Sequence, residues 1–244
     1  MSSQIKPIYL FADSQLLFWR EEGGLYLASL LALIDVERPK AAYIGASNGD
    51  QPEFYSLFEA AMEGIDIRDC RMIPSRLSDE DRAFLDEADI ILLAGGDAEK
   101  GWSAFRENGL ETLIIRRYFE GALLIGLSAG AIQLGQYLLP ESVNSSAELL
   151  KTFGLVPVVI GAHQEEEDWE LLKETVQRAG AATRGIGIPA GGGCIYHRSQ
   201  IIEPIRHPLV EFSLQGEELK HSILFPPGDG HDEEDATEAS SLVH

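Results

Sequence analysis

The sequence predicts an α/β protein: a three-layer sandwich with a mostly parallel sheet and an antiparallel hairpin near the C-terminus. In the first half of the chain, short and uniformly apolar segments alternate with longer amphipathic segments. Uniformly apolar strands are typical of parallel sheets, because helices cover both faces of such sheets. Later in the chain, several short segments separated by turns indicate antiparallel strands.

The first half of the chain supplies the alternating units. Strands are expected over residues 8–11, 41–46, 90–94 and 122–127, where almost every residue is apolar. Helices are expected over 23–34, 53–62, 78–87 and 110–119, where apolar residues recur at helical spacing. Ser78 is the predicted N-cap of the third helix, because acidic residues follow it and carboxylates stabilise a helix N-terminus.

The chain after Gly154 follows a different plan. A strand over 155–160 and a helix over 169–179 are expected first. Short strands are then expected over 185–188, 194–197, 200–204 and 219–224. The simplest arrangement is an antiparallel ribbon appended to the parallel sheet, which makes 1–226 a single α/β domain. Residues 227–244 contain six acidic residues and no Lys or Arg, a composition typical of a disordered tail.

Composition excludes several classes of function. Acidic residues outnumber Lys and Arg by 40 to 19, which gives the 244-residue chain a net charge of -21. Such a chain repels nucleic acid and anionic membranes, so neither is an expected partner. The sequence contains no stretch of 18 apolar residues and no signal-peptide pattern at its start, so a cytoplasmic protein is expected. A homodimer is left open.

The cysteine content predicts neither a disulfide framework nor a metal site. Cys70 and Cys194 are the two cysteines, and no Cys/His group has the spacing of zinc ligands. We expect no cofactor.

One segment carries most of the chemical information. A predicted strand runs into Gly126-Leu127-Ser128-Ala129-Gly130 and then into an expected helix. This G-x-S-x-G arrangement is typical of a nucleophile elbow, where a sharp turn projects a serine hydroxyl above the carboxyl end of the sheet. The pattern by itself is common, and a plain strand-to-helix turn with Ser128 as N-cap would produce the same letters.

A serine hydroxyl needs a neighbouring base to attack a carbonyl at neutral pH. Of the six histidines, His163 is the best candidate, because it follows the apolar segment 155–160 and the small pair Gly161-Ala162. That places His163 at the carboxyl edge of a strand, where open α/β sheets hold their chemistry. A surface-loop histidine is the plain alternative, and His197 is a competitor from the late antiparallel region.

The oxyanion formed during such an attack needs backbone N–H groups where negative charge develops. The predicted strand at 90–94 is followed by Gly95-Gly96-Asp97, and glycines let a substrate approach the backbone. We expect the N–H groups of Gly96 and Ala129 to form the oxyanion hole. A phosphate-binding turn or a plain left-handed turn is the alternative, although no G-x-G-x-x-G or Walker pattern is present.

Four ordered segments together resemble the dipeptidase E and cyanophycinase family of serine peptidases. Residues 94–97 resemble the family's glycine-rich oxyanion turn, and 126–131 resemble its G-x-S-A-G-A elbow, whose serine is the nucleophile. Residues 154–157, followed by His163, resemble its GL-x-P segment with the histidine base, and 187–191 resemble its G-[LI]-P-E-G strand. The resemblance covers about 1–215. It implies a class I glutamine amidotransferase-like fold, with Ser128 and His163 catalytic and no metal or cofactor.

The sequence departs from this family at the acid of the catalytic triad. Cyanophycinase-like members use a glutamate to orient the histidine, and this chain has Ala190 at that position. Dipeptidase E-like members take an acid from the loop after the elbow helix, where Glu141 is the corresponding candidate. A dyad of Ser128 and His163 would still act, more slowly, since the carboxylate mainly fixes the tautomer and stabilises the imidazolium.

The predicted specificity also departs from the family. Dipeptidase E-like enzymes prefer an N-terminal aspartate, yet residues 164–168 after His163 include four acidic residues. These acids would repel an aspartate side chain and attract an amine, although a solvated helix start would explain them equally. We expect a small peptide substrate, cationic or with a free amine. The candidate substrate-binding residues are Asp97, Glu165, Glu166, Trp169 and Ala190.

The sequence therefore predicts a serine peptidase that hydrolyses short peptides or isopeptides through an acyl-enzyme. The alternative is a catalytically inactive relative that binds a small ligand or a protein on the same surface, which the missing glutamate at Ala190 favours. A glutaminase of the amidotransferase type is disfavoured, because neither cysteine lies on the elbow.

Overall fold

The secondary structure follows the predicted alternation of strands and helices. The structure is a computed structural model that describes residues 5–21, 23–140, 148–216 and 218–228. The strands are β1 (Ile8–Phe11), β2 (Arg20–Glu21), β3 (Gly24–Leu25), β4 (Lys40–Ile44), β5 (Asp69–Ile73), β6 (Ile90–Leu93), β7 (Leu123–Leu127), β8 (Tyr137–Leu138), β9 (Leu150–Lys151), β10 (Val159–Ala162), β11 (Arg184–Ile188), β12 (Gly193–Tyr196), β13 (Ile202–Ile205), β14 (Leu209–Gln215) and β15 (Glu218–Leu224). The α-helices are α1 (Gln15–Phe18), α2 (Pro52–Glu63), α3 (Asp79–Glu87), α4 (Ala98–Glu107), α5 (Leu110–Phe119), α6 (Ala129–Leu134) and α7 (Glu170–Ala179), and 3₁₀ helices cover Tyr26–Leu33 and Ala46–Asn48. None of the described helices is long and apolar enough to cross a membrane.

A seven-stranded sheet forms the middle layer, in the order β13-β12-β1-β7-β6-β4-β5. Strands β1, β7, β6, β4 and β5 run parallel, whereas β12 and β13 add an antiparallel edge. Every residue of β1, β6 and β7 is buried, as expected for strands covered on both faces. The predicted mostly parallel sheet is confirmed.

Alternate residues along a central strand belong to two separate cores. In β1, Ile8 and Leu10 pack with residues of α3 to α6, whereas Tyr9 and Phe11 pack with residues of α1, α2 and the 3₁₀ helix Tyr26–Leu33. This division arises because successive side chains of a strand point to opposite faces of the sheet. Helices therefore cover both faces, which is the three-layer sandwich that the sequence predicts.

The late strands divide between two sheets, which corrects the expected single ribbon. Strands β12 and β13 extend the main sheet, but the β14–β15 hairpin joins β10 and β11 in a separate four-stranded sheet. Helix α7 lies close against this second sheet over Gly185, where a Cβ would be 2.5 Å from the Val176 side chain. The second sheet matters for function because β10 leads directly to His163.

Some element boundaries also differ from the predictions. Residues 23–34 form a 3₁₀ helix over Tyr26–Leu33 rather than one long α-helix. The strand expected at 155–160 is displaced to Val159–Ala162, because Pro157 lacks the N–H that a strand ladder needs. The Ser78 cap is confirmed, since its Oγ accepts a hydrogen bond from the Asp81 N–H at 3.1 Å. The predicted tail from residue 229 onward lies outside the described residues.

Candidate active site

Ser128 occupies a sharp turn between the central strand β7 and helix α6. Its backbone has φ 47° and ψ -109°, a conformation that costs a non-glycine residue on the order of 1–3 kcal/mol. The Ser128 N–H donates to the Phe11 carbonyl at 2.9 Å, which ties the turn to the neighbouring strand β1. The turn therefore has the strained geometry of a nucleophile elbow.

Close packing explains the two glycines of the G-x-S-x-G motif. A Cβ on Gly126 would lie 2.7 Å from the backbone of Ala131, and a Cβ on Gly130 would lie 2.2 Å from the Leu93 carbonyl oxygen. Helix α6 therefore lies directly against β6 and β7. The Ser128 side chain makes no capping hydrogen bond to α6. The motif thus forms a tight elbow rather than an ordinary capped helix start.

His163 follows directly after β10 and faces the elbow. Its backbone φ is 44°, and its N–H donates to the Ile188 carbonyl of the adjacent strand β11 at 2.8 Å. Its Nε2 lies 2.8 Å from the Ser128 Oγ. In the tautomer with an unprotonated Nε2, the serine hydroxyl donates to the imidazole. The structure therefore brings together the two side chains that the sequence predicts as nucleophile and base.

His197, the competing histidine, lies at the opposite end of the strands of the main sheet from Ser128. Strand β12 runs antiparallel to β1, with Tyr196 beside Ile8 at the start of β1. His197 follows Tyr196, whereas Ser128 follows the end of β7, which runs parallel to β1. The His197 Nε2 is instead 2.8 Å from a carboxylate oxygen of Glu203.

Gly96 and Ala129 line the same cavity as Ser128. Gly96 has φ 130°, and a Cβ there would lie 2.3 Å from the Ser47 carbonyl oxygen, so glycine alone fits. Within the part of the chain that the structure describes, neither backbone N–H donates to a protein acceptor. Both groups are therefore free to stabilise negative charge that develops beside Ser128.

The described residues do not supply a third member of the predicted triad. Glu141, the predicted third member, lies outside them, and no described carboxylate is hydrogen-bonded to the His163 ring. Glu165 accepts a hydrogen bond from the exposed Ala190 N–H at 2.8 Å. Glu165 therefore ties the loop after β10 to the loop after β11. Glu166 is exposed on the same loop.

Trp169, a predicted substrate-binding residue, does not line the space beside Ser128 and His163. Its side chain is buried between α7 and the second sheet, in a cluster with Val159, Leu172 and Phe212. A Cβ on Gly187 would lie 2.7 Å from the indole ring. The absence of a side chain at this position of β11 leaves room for the ring, so Trp169 packs inward.

A cavity of about 940 Å³ opens beside Ser128 and His163, within the size range of ligand sites. We call it the acidic cavity, because its lining includes Asp97, Glu99, Glu167, Glu170 and Glu174 and no described Lys or Arg. Glu174 is paired with Arg178, which reduces its charge effect. Among the predicted substrate residues, Asp97 lines the cavity, but Glu165, Glu166 and Ala190 do not. No described group of three or more His, Cys, Asp or Glu residues could hold a metal ion.

The two cysteines lie away from the elbow. Cys194 is fully buried in β12, and Cys70 is partly buried in β5. Burial raises the pKa of the Cys194 thiol to about 12 and that of the Cys70 thiol to about 11. Because the thiolate is the reactive form, burial lowers the reactivity of both thiols at neutral pH.

An elbow serine in contact with a histidine, on an α/β sandwich, defines the class of serine hydrolases. The family comparison narrows this class. The model of peptidase family S51 matches residues 19–202 of this chain. The chain therefore belongs to peptidase family S51, a family of serine peptidases. This confirms the predicted resemblance to dipeptidase E and cyanophycinase.

Individual relatives are more distant. The uncharacterized peptidase YgaJ of Bacillus subtilis is 26% identical over 102 residues, which cover 39% of this chain and 42% of that protein. The match thus spans about two-fifths of the length of this curated relative. The crystal structure of a peptidase from an acI-B1 Actinobacterium has a TM-score of 0.71 at 15% identity, covering 93% of this chain and 97% of the other. A "Putative Peptidase E Protein" from Listeria monocytogenes EGD-e has a TM-score of 0.56 at 16% identity, covering 91% and 100%. Both structures share the fold.

Proposed function

We propose that this protein is a serine peptidase that hydrolyses short peptides or isopeptides through an acyl-enzyme, with Ser128 as nucleophile and His163 as general base. The 2.8 Å distance between the Ser128 Oγ and the His163 Nε2, at a strained turn ending a central strand, carries the proposal. Membership of a serine peptidase family supports it. A serine activated by a neighbouring imidazole can attack a carbonyl at neutral pH.

Acylation uses the groups around the elbow. The Ser128 Oγ attacks the scissile carbonyl carbon while its proton passes to the His163 Nε2. The carbonyl oxygen becomes an oxyanion, which accepts hydrogen bonds from the N–H groups of Gly96 and Ala129. The imidazolium then donates its proton to the leaving nitrogen as the carbon–nitrogen bond breaks. The amine departs, and the acyl group stays on Ser128.

Deacylation repeats the same proton transfers with water. His163 accepts a proton from a water molecule that attacks the ester, and it returns the proton to the Ser128 Oγ as the acid leaves. A carboxylate on the other ring nitrogen would speed both steps by fixing the tautomer. Glu141 is the candidate for that role.

The acidic cavity favours a cationic substrate. Its carboxylates lie beside His163, and a positive group there gains Coulomb energy, whereas an aspartate side chain would be repelled. We therefore expect peptides with Lys, Arg or a free amine to be cleaved better than Asp-X dipeptides. A dipeptide panel that includes β-aspartyl bonds tests this expectation, and much faster cleavage of Asp-X than of Lys- or Arg-containing peptides would contradict it.

A fluorophosphonate probe tests the mechanism itself. We expect covalent labelling of the native protein, with the adduct located on Ser128 by peptide mass spectrometry. The Ser128→Ala variant should lose labelling completely, and His163→Ala should reduce its rate at least a hundredfold, since a general base contributes about 10²–10⁴-fold. An unlabelled, correctly folded native protein would instead favour the inactive, ligand-binding relative, for which the Ala190 replacement is the motivating observation.

A further inference from the structure

A second cavity, of about 540 Å³, also borders the nucleophile. We call it the apolar cavity, because its lining includes Leu17, Tyr43, Phe54, Leu57, Phe58 and Leu127. Gly96, Asp97 and Ser128 line both this cavity and the acidic cavity. A substrate held at Ser128 therefore has access to two spaces of different chemistry.

The inner wall of the apolar cavity is fixed by packing. Tyr43 and Phe58 are both buried, and their ring centroids are 5.5 Å apart. The Tyr43 hydroxyl accepts a hydrogen bond from the Asn48 Nδ2 at 2.7 Å, so its polar end is already satisfied. A preformed wall of this kind binds a ligand without first having to become ordered.

The outer wall exposes large apolar side chains next to the nucleophile. Phe54 and Leu57, on helix α2, are 46% and 45% exposed. A substrate side chain that covers them removes apolar surface from water, which favours binding. A polar side chain would gain little from the same contact.

Some polar groups of this cavity are already hydrogen-bonded within the protein. Both carboxylate oxygens of Asp13 already accept hydrogen bonds, from the Gln15 N–H at 2.8 Å and the Gly191 N–H at 2.7 Å. Lys100 also lines the cavity, and its ammonium forms no ion pair with any described residue. Lys100 makes an acidic side chain the rival occupant, which the experiment must distinguish from an apolar one.

The position of His163 assigns each cavity to one side of the scissile bond. The imidazole must protonate the leaving nitrogen, so the leaving group lies beside it. His163 lines the acidic cavity and not the apolar cavity. The leaving side of the substrate therefore occupies the acidic cavity, and the acyl side, which becomes bonded to Ser128, faces the apolar cavity.

We infer that the apolar cavity is the subsite for the side chain on the acyl side of the scissile bond and that it selects a large apolar residue such as Phe, Leu or Met. This inference rests on the proposed peptidase function. Combined with the acidic cavity, it gives a substrate with an apolar residue on the acyl side and a cationic residue on the leaving side.

Phosphonate diphenyl esters test the acyl side alone, because they carry one amino-acid side chain and no leaving peptide. The Ser128 Oγ forms a bond to phosphorus, phenoxide leaves, and the serine proton passes to His163. We expect the ester with the benzyl side chain of Phe to label Ser128 at least tenfold faster than the ester with the methyl side chain of Ala, and faster than the ester with the carboxymethyl side chain of Asp.

Two phenylalanine variants give a matched comparison. Phe54→Ala should reduce the benzyl-to-methyl rate ratio to about threefold or less. Phe119→Ala removes the same side chain from α5, where it is 54% exposed and outside both cavities. This control should keep the native ratio.

The outcomes separate the two levels of the proposal. If a plain fluorophosphonate fails to label Ser128, the proposed peptidase function fails. If that probe labels Ser128 but the benzyl ester is no faster than the methyl ester, or the carboxymethyl ester is fastest, the apolar subsite is overturned and the peptidase function stands. Equal slowing of all three esters by Phe54→Ala would also overturn the subsite.

Discussion

Replacing Gly96 with alanine tests the oxyanion hole directly. Gly96 has φ 130°, and an added Cβ would lie 2.3 Å from the carbonyl oxygen of Ser47 and 2.6 Å from its carbonyl carbon. These distances are about 1 Å shorter than van der Waals contact. The backbone of one loop must therefore move, and the Gly96 N–H moves with it.

The size of the effect follows from this geometry. Backbone strain at positive φ costs about 1–3 kcal/mol, and overpacking costs about as much again, so the variant should lose about 2–6 kcal/mol of folding free energy. Removal of one oxyanion donor slows catalysis by about 10²–10³-fold. We therefore expect the fluorophosphonate labelling rate of Gly96→Ala to fall at least a hundredfold.

A control variant separates strain from catalysis. Gly109 also has positive φ, 73°, but an added Cβ there would have no heavy atom within 4 Å. Gly109→Ala should cost about 1–2 kcal/mol of stability and leave the labelling rate unchanged. Thermal unfolding by circular dichroism establishes that each variant is folded at the assay temperature. A folded Gly96→Ala protein that is labelled within threefold of the native rate would refute the role of the Gly96 N–H.

Three other perturbations have defined outcomes. Asp81 is buried, and burial by itself raises the pKa of its carboxyl group. Hydrogen bonds from Ser78 and Arg71 lower this pKa by more, so that the net pKa lies below the ordinary value. Asp81→Asn should lower the free energy of unfolding, measured in urea at pH 7, by about 1–2 kcal/mol. This difference from the native protein should shrink as the pH falls below about 4, because a carboxyl group with a lowered pKa stabilises the fold only while it is ionised. A difference that stays constant with pH would contradict this role of Asp81. Iodoacetamide should leave labelling intact, because burial raises the pKa of both thiols, and loss of labelling on alkylation would point to a cysteine nucleophile. Glu165→Ala should slow labelling roughly tenfold, because it releases the loop that carries His163. Glu165→Gln keeps an oxygen acceptor, so its labelling rate should stay near the native rate. Equal labelling rates for the two variants would show that Glu165 does not position His163.

Local sequence patterns were sufficient to predict the sheet and the proximity of Ser128 to His163. Strands β1, β6 and β7 are apolar at every position because helices cover both of their faces. Burial of this kind can therefore be recognised from the sequence of each strand. The elbow is equally visible, since the approach of α6 to β6 and β7 requires glycine at Gly126 and Gly130. His163 could be selected because a histidine directly after an apolar strand lies at the reactive edge of an α/β sheet.

Other features depend on contacts between distant segments, which leave no local pattern. The inward position of Trp169 depends on Gly187, a missing side chain on another strand. Helix α4 is not among the predicted helices; it follows Asp97, whose carboxylate accepts a hydrogen bond from the Lys100 N–H at 2.9 Å. In the sequence, Phe54 and Leu57 are ordinary residues of an amphipathic helix. Only the tertiary structure shows that they line a cavity beside Ser128.

The sequence by itself determined the layered α/β architecture, the elbow serine and its partner histidine, because burial on both faces and tight turns restrict which residues can occupy each position. The tertiary structure alone decided how the late strands divide into two sheets and which carboxylates line the acidic cavity. It also placed an apolar cavity beside Ser128. These features arise where loops from separate strands meet at one edge of the sheet, and side-chain packing between such loops is not encoded in any single segment.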